Sequence, residues 1–132
     1  MTFGTRWVRL LGACTRDEAE VMFNDYISKG GHTLCPSSNK HEMGIVGNFI
    51  DTANKYQEGE TETWVGDMVQ KRGGRDGLVI STKYSLPLPL GNVNFCGNHR
   101  KNMFFALENS LKRLQTSYID LYYGDLTVSV NG

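Results

Sequence analysis

Three side chains that could act together follow two apolar runs of the sequence. Phe49-Ile50-Asp51 ends one run in a carboxylate, and Tyr56 follows five residues later in the same connection. Val79-Ile80-Ser81-Thr82-Lys83 ends the next run in a lysine. In a parallel α/β sheet the carboxyl ends of neighbouring strands lie side by side, and sites are usually built there. Asp51, Tyr56 and Lys83 are therefore expected to converge.

The chemistry of such a trio is coherent. A phenol with a pKa of about 10 is a poor acid–base group at neutral pH, but a neighbouring ammonium favours its phenolate form. A carboxylate paired with the lysine keeps that ammonium charged and oriented. The phenol could then give its proton to a carbonyl oxygen while a hydride reaches the carbon. Spacing alone still favours the plainer interpretation, in which Asp51 caps a turn, Lys83 is solvated and Tyr56 only packs.

Three helices are predicted around these runs. The first spans 15–29, where Thr15 and Glu18 form a capping box and Gly30-Gly31 ends the helix. Its predicted buried face consists of Ala19, Met22, Phe23, Tyr26 and Ile27. The second begins near Thr61 and ends at Gly73-Gly74, with Trp64, Val65, Met68 and Val69 on one face. The third spans 100–114, with Phe104, Leu107, Leu111 and Leu114 on its buried side.

The apolar runs between the helices predict strands that are buried on both faces, as in a parallel sheet covered by helices. They cover 48–50, 78–81 and 118–123. The alternation of helices and strands predicts an α/β fold. Two stretches depart from it: the polar segment 32–47, which is long for such a connection, and the loop 84–98, which follows a strand where α/β barrels carry functional loops.

Composition excludes several classes of function. Lys plus Arg and Asp plus Glu both number 14, so there is no net positive charge to attract nucleic acid or an anionic membrane. No apolar run is long enough to span a membrane, and residues 1–14 make an unconvincing signal peptide. Three widely spaced cysteines argue against a disulfide framework. A cytoplasmic location is expected.

Two other groups of residues are weaker candidates. His32, Cys35 and His41 lack a fourth ligand and the usual zinc spacing, so no metal site is expected. The basic stretch 98–101 could lie near a cofactor phosphate, but a solvated helix start is the favoured interpretation.

Several motifs, in order along the chain, resemble the aldo-keto reductases. NFIDTANKYQEGETETWVG (48–66) is similar to the family signature, VISTKY (79–84) to its lysine strand, and NSLKRLQTSYIDLYY (109–123) to the helix and strand that follow. Met1-Thr2-Phe3-Gly4 looks like the end of the first barrel strand. CGNHRK (96–101) suggests the fungal aryl-alcohol dehydrogenase and norsolorinic-acid-reductase-like branch.

The resemblance implies an α/β fold that is a partial (β/α)8 TIM barrel of about the first four strand–helix units, not closed. It implies NADPH-dependent reduction of an aldehyde or ketone, or the reverse oxidation, with Tyr56 as proton donor, Lys83 as the cation beside it and Asp51 holding Lys83. Asp51 would also lie near the nicotinamide of NADP(H). The expected partner is a small-molecule carbonyl or alcohol substrate.

The family pattern is incomplete in this chain. The histidine expected two positions beyond Tyr123 is replaced by Asp125, and a carboxylate there could not act as a neutral imidazole. A whole barrel needs about 250 residues, so residues 1–132 would be the N-terminal part of the domain. In this hypothesis 32–47 is an atypical insertion, 124–132 is a divergent tail, and both are gene-model artefacts. The alternative function is therefore a catalytically inactive truncated remnant of such an enzyme, with little or no activity alone.

Overall fold

The structure, a computed structural model, describes residues 2–29, 48–89 and 91–124. The helices are α1 (Val8–Leu11), α2 (Arg16–Lys29), α3 (Glu60–Arg72) and α4 (Arg100–Leu114), and the strands are β1 (Phe49–Asp51), β2 (Val79–Tyr84) and β3 (Leu121–Gly124). Short 3-10 turns lie at Tyr56–Gly59, Arg75–Gly77 and Val93–Phe95. In this part of the chain no helix is both long and apolar enough to cross a bilayer.

The three strands form one parallel sheet in the order β1-β2-β3, which confirms the predicted α/β fold. Asp51 pairs with Ser81 in the β1–β2 register, and Lys83 pairs with Tyr123 in the β2–β3 register. Parallel pairing brings the carboxyl ends of all three strands to the same edge. Within the described residues this sheet is open rather than closed into a barrel.

Helix α2 begins as its sequence predicts. Glu18 accepts a hydrogen bond from the backbone N–H of Thr15 at 2.8 Å, and Thr15 Oγ1 accepts one from the backbone N–H of Glu18 at 3.3 Å, which confirms the capping box. Ala19, Phe23 and Ile27 are buried in the core. The prediction was wrong for Met22, which is 49% exposed, because the contact face follows the i, i+4, i+8 row and Met22 lies to one side of it.

Helix α4 has the predicted bounds but a different buried face. Its buried residues are Asn102, Ala106, Ser110 and Leu114, whereas Phe104 is 48% exposed. The prediction was therefore wrong for Phe104. Small and polar residues lie inside because α4 packs closely against α3, and a large ring has no room between the two backbones.

Strand β3 is also less buried than predicted. Leu121 is 46% exposed and Tyr123 is 41% exposed, and on β1 Phe49 is 44% exposed. These three residues lie on the sheet face opposite the helices. The prediction of strands buried on both faces is therefore wrong for β3 and for Phe49 of β1, while the helix-facing residues Ile50 and Ile80 are fully buried.

Some predictions concern residues outside the described ranges, and one at the N-terminus differs from the structure. The segment 32–47, the helix end at Gly30-Gly31 and residues 125–132 lie outside the described residues. Gly124, the first residue of the predicted tail 124–132, is instead the last residue of β3. Residues 2–4, expected to end a first strand, form no strand. Phe3 is nevertheless buried in the core, and its carbonyl accepts a hydrogen bond from Thr61 Oγ1 at 2.6 Å.

The core lies between one face of the sheet and helices α2, α3 and α4. Its members are the buried apolar residues Phe3, Ala19, Phe23, Ile27, Ile50, Val65, Met68, Val69, Leu78, Ile80 and Leu114. Gly66 of α3 lies directly against α4: an added Cβ would lie 2.8 Å from the carbonyl carbon and 2.9 Å from the Cα of Leu114. The packing of α3 on α4 therefore requires a glycine at position 66.

Gly66→Ala is expected to destabilise the chain. The clash involves helix backbone, and overpacking of this kind costs about 1–3 kcal/mol, which outweighs the gain of about 1 kcal/mol from replacing a helical glycine. Gly77→Ala is the control, because nothing lies within 4 Å of its added Cβ. Urea unfolding of both variants measures the difference, and a Gly66→Ala chain as stable as Gly77→Ala would contradict this account of the helix packing.

Candidate active site

The structure brings Asp51 and Lys83 into direct contact at the carboxyl edge of the sheet. Lys83 Nζ lies 2.6 Å from Asp51 Oδ2 and also donates to the carbonyl oxygen of Thr52 at 3.0 Å. The Lys83 side chain is 13% exposed and that of Asp51 is 38% exposed. The pair is thus partly shielded from water while its carboxylate remains accessible.

Two further hydroxyl groups donate to the same carboxylate. Ser81 Oγ and Tyr123 Oη each lie 2.6 Å from Asp51 Oδ1. Ser81 is two residues before Lys83 on β2, so both side chains point to the same face. Tyr123 reaches Asp51 from β3. The carboxylate of Asp51 therefore accepts hydrogen bonds from β2 and β3 together.

These contacts shift the ionisation of both charged groups. Burial opposes the charge on Asp51, but hydrogen bonds from Lys83, Ser81 and Tyr123 outweigh it and lower the pKa of Asp51 to about 2. Burial likewise opposes protonation of Lys83, but the hydrogen bond to Asp51 and the nearby Tyr56 raise its pKa above the ordinary value. At neutral pH the pair is a carboxylate and an ammonium.

Tyr56 lies on the other side of the lysine. The Lys83 ammonium is 5.3 Å from the centroid of the Tyr56 ring, within the range of a cation–π contact. Backbone N–H groups of Thr52 and Asn54 donate to the carbonyls of Ser81 and Lys83 at 2.9 and 3.0 Å, so the connection from β1 continues along β2 before it reaches Tyr56. This extension sets Tyr56 beside Lys83.

A turn of left-handed backbone follows Tyr56. Gln57 has φ +52° and Glu58 has φ +58°, a conformation that is costly for residues with side chains. The side chain of Gln57 is buried and its Oε1 accepts a hydrogen bond from the backbone N–H of Trp7 at 2.6 Å. Trp7 Nε1 donates to Glu58 Oε1 at 3.2 Å, and its ring meets the Tyr56 ring edge-on at 6.5 Å. The N-terminal segment thus holds the turn and one side of Tyr56.

The opposite face of β2 is held by a buried ion pair. Glu62 of α3 is fully buried, and its Oε1 accepts a hydrogen bond from Thr82 Oγ1 at 2.6 Å. Its Oε2 accepts one from Arg113 Nε of α4 at 2.7 Å. Because Thr82 immediately precedes Lys83, this pair fixes the strand that carries the lysine.

The outcome for the sequence candidates is mixed. Asp51, Tyr56 and Lys83 do come together, while Asp125, His32, Cys35 and His41 lie outside the described residues. In the basic stretch 98–101, His99 Nδ1 accepts a hydrogen bond from the backbone N–H of Asn102 and caps α4.

Sequence reasoning missed the contributions of Ser81, Tyr123 and Trp7. Strand alternation could have found Ser81, because it lies two residues before Lys83. No local signal reveals the reach of Tyr123 or Trp7, since both contacts depend on tertiary packing.

Residues 1–127 match the model of the aldo/keto reductase family. The chain belongs to the aldo/keto reductase family. The (β/α)8 barrel of this family accounts for an open parallel sheet whose carboxyl edge carries the polar residues. Aldo-keto reductase AKR11C1 from Bacillus halodurans superposes with a TM-score of 0.65 at 24% identity, over 98% of this chain and 38% of that chain. That likeness shows the fold.

Fungal proteins are among the curated relatives of this aldo/keto reductase chain. Norsolorinic acid reductase A of Aspergillus parasiticus is 37% identical over 138 residues, covering 98% of this chain and 31% of that protein. Aryl-alcohol dehydrogenase GME11368 of Pestalotiopsis microspora is 35% identical, covering 93% of this chain and 29% of that protein. The chain therefore spans about a third of the length of such relatives.

Loss of the Arg113 side chain is expected to lower the stability of the fold. Arg113→Met would leave the buried carboxylate of Glu62 without its cation, and breaking a buried pair in this way costs about 3–5 kcal/mol. Lys71→Met is the matched control, because Lys71 pairs with Glu20 but its side chain is 70% exposed; such pairs contribute about 0–1 kcal/mol. Guanidinium unfolding measures the free energy of unfolding of both variants. Equal losses would show that the buried pair of Glu62 and Arg113 stabilises the fold no more than the exposed pair does.

Stability should also depend on the charge of Asp51. Its folded pKa of about 2 lies below the ordinary 3.8, so the ionised carboxylate stabilises the fold above about pH 4 and loses that effect as the pH falls toward 2. The advantage of the wild-type chain over Asp51→Asn is therefore expected to narrow from pH 4 downward. Urea unfolding of both chains across this range tests it, and an advantage that stays constant would show that Asp51 is not held ionised by its neighbours.

Proposed function

We propose that this chain carries the proton-donating part of an NADP-dependent aldo-keto reductase site that reduces an aldehyde or ketone, or catalyses the reverse oxidation. The observation that carries the proposal is the arrangement around one ammonium. Lys83 Nζ lies 2.6 Å from Asp51 Oδ2 and 5.3 Å from the Tyr56 ring. A cation held by a carboxylate and set beside a phenol is suited to stabilise the phenolate that proton donation leaves.

Each residue has a distinct role in the proposed reaction. The Tyr56 hydroxyl gives its proton to the carbonyl oxygen of the substrate, which leaves a tyrosinate. Lys83 stabilises that negative charge from its position beside the ring. Asp51 keeps Lys83 charged and oriented through the contact at 2.6 Å. In alcohol oxidation the same proton returns to Tyr56.

The residues fit the nicotinamide–ribose end of the cofactor. The Asp51 carboxylate is 38% exposed at the carboxyl edge of the sheet and is ionised, so it can accept a hydrogen bond from a hydroxyl group brought to that edge. Asp51 would therefore hold the reacting end of NADP(H), as the resemblance implies. When bound, the reduced nicotinamide supplies the hydride that the carbonyl carbon receives.

The proposed substrates are aromatic aldehydes and ketones or the corresponding alcohols. Support comes from the relatives, which are described as norsolorinic acid reductases and aryl-alcohol dehydrogenases. Aromatic rings already border the site, since Trp7 lies edge-on to Tyr56. Selection of NADP(H) over NAD(H) is part of this proposal.

Tyr56→Phe is expected to lower turnover by at least about 100-fold, because it removes the group that donates the proton. The measurement is consumption of NADPH with an aromatic aldehyde as the probe substrate. Binding of NADPH, followed by fluorescence quenching, should be retained, since the hydroxyl acts on the substrate. Tyr118→Phe is the control: its hydroxyl contacts Asp76 at 3.0 Å, away from Asp51 and Lys83.

Two results would count against the proposal. A Tyr56→Phe chain that turns over at the wild-type rate would remove Tyr56 from the chemistry. A wild-type chain that neither binds NADPH nor reduces the aldehyde would favour the alternative, a catalytically inactive remnant. The observation in favour of that alternative is the exposure of large side chains on the sheet face opposite the helices, where Phe49, Leu121 and Tyr123 are each more than 40% exposed.

A further inference from the structure

Tyr123 spans the width of the sheet to reach the site. It lies on β3, whereas Asp51 lies on β1, and β2 runs between them. Neighbouring strands are about 4.8 Å apart, so β1 and β3 are separated by roughly 10 Å. The Tyr123 hydroxyl nevertheless lies 2.6 Å from Asp51 Oδ1. A phenol is long enough for this contact, whereas a serine or threonine at the same position would be too short.

The contact determines how the Asp51 carboxylate is oriented. Tyr123 Oη and Ser81 Oγ both donate to Oδ1, and Lys83 Nζ contacts Oδ2. Donors on one oxygen restrict rotation of the carboxylate and keep the other oxygen directed at the ammonium. Charge-assisted hydrogen bonds of this length are among the stronger ones in proteins.

The Tyr123 ring also borders the ammonium. Lys83 Nζ lies 5.4 Å from the Tyr123 ring and 5.3 Å from the Tyr56 ring. The cation therefore has an aromatic ring on two sides and a carboxylate on a third. The two phenols differ in one respect: the Tyr123 hydroxyl donates its proton in a hydrogen bond to the ionised carboxylate of Asp51.

We propose that Tyr123 is a positioning residue of this site, which fixes the Asp51 carboxylate from across the sheet and thereby holds Lys83 beside Tyr56. The expected effect on turnover rests on the proposed function. The positioning of Asp51 by Tyr123 does not, because the contact between the two side chains can be measured without any reaction.

The test uses the full chain with carbon-13 label in aspartate side chains and follows the titration of Asp51 by NMR. Tyr123→Phe keeps the ring and removes the hydroxyl alone. Loss of a donor to the ionised form is expected to raise the titration midpoint of Asp51 by about 0.5–1 pH unit. Tyr118→Phe, which removes a tyrosine–carboxylate contact elsewhere, should leave the midpoint unchanged. An unchanged midpoint in Tyr123→Phe would overturn the proposal.

A second measurement needs no substitution. In the wild-type chain the ring carbon that bears the Tyr123 hydroxyl should change its resonance as Asp51 is protonated, because the hydrogen bond weakens there. A Tyr123 resonance that does not change as Asp51 titrates would contradict the contact. This result is decisive even if a variant fails to fold.

Measurement of turnover tests the effect of the Tyr123–Asp51 contact on the proposed reaction. With an aromatic aldehyde as probe, Tyr123→Phe is expected to lower kcat by about 3- to 10-fold with little change in KM, since the loss concerns orientation at the proton donor. A wild-type kcat in this variant would show that the contact has no role in positioning. A wild-type chain without turnover would count against the proposed reductase function, whereas the Asp51 titration would still decide whether Tyr123 holds the carboxylate.

Discussion

The ion pair between Lys83 and Asp51 joins two neighbouring strands at the edge where the site lies. It exists because Asp51 pairs with Ser81 in the parallel register, which sets Lys83 two residues further along the same face. A shift of one residue in that register would turn Lys83 to the helix side of the sheet. The position of Tyr56 depends on the same register, since the backbone N–H groups of Thr52 and Asn54 continue the pairing with β2.

Strand β2 is held on both faces by a carboxylate. On the helix side, Thr82 contacts Glu62, which is paired with Arg113. On the open side, the next residue, Lys83, contacts Asp51. The first pair is buried and serves the packing of α3 against α4. The second is partly exposed and lies in the candidate site. Neighbouring residues on one strand thus connect the core to the candidate site.

Much of this arrangement could be predicted from the sequence, for reasons that are local. The capping box of Thr15 and Glu18, the bounds of α4 and the carboxyl ends of the first two strands all follow from short-range patterns. The buried side of α4 could not be predicted, because it depends on the close approach at Gly66 rather than on apolar spacing. Leu121 and Tyr123 look like core residues in a run of apolar side chains, and only the three-dimensional arrangement shows them exposed. The contact of Tyr123 with Asp51 joins residues 72 positions apart, and no local pattern encodes such a pair.

The left-handed turn after Tyr56 has a consequence for how the chain could change. Gln57 and Glu58 occupy a backbone conformation that glycine adopts without penalty, so glycine at position 58 would relieve strain and lose the contacts with Trp7 and Lys55. The backbone would gain freedom just beside the phenol. Here the contacts of the Gln57 and Glu58 side chains with Trp7 hold the turn that follows Tyr56. The free-energy cost of the left-handed backbone is therefore offset by a better-defined orientation of the Tyr56 ring. A variant with higher folding stability would therefore not necessarily have a better-ordered site.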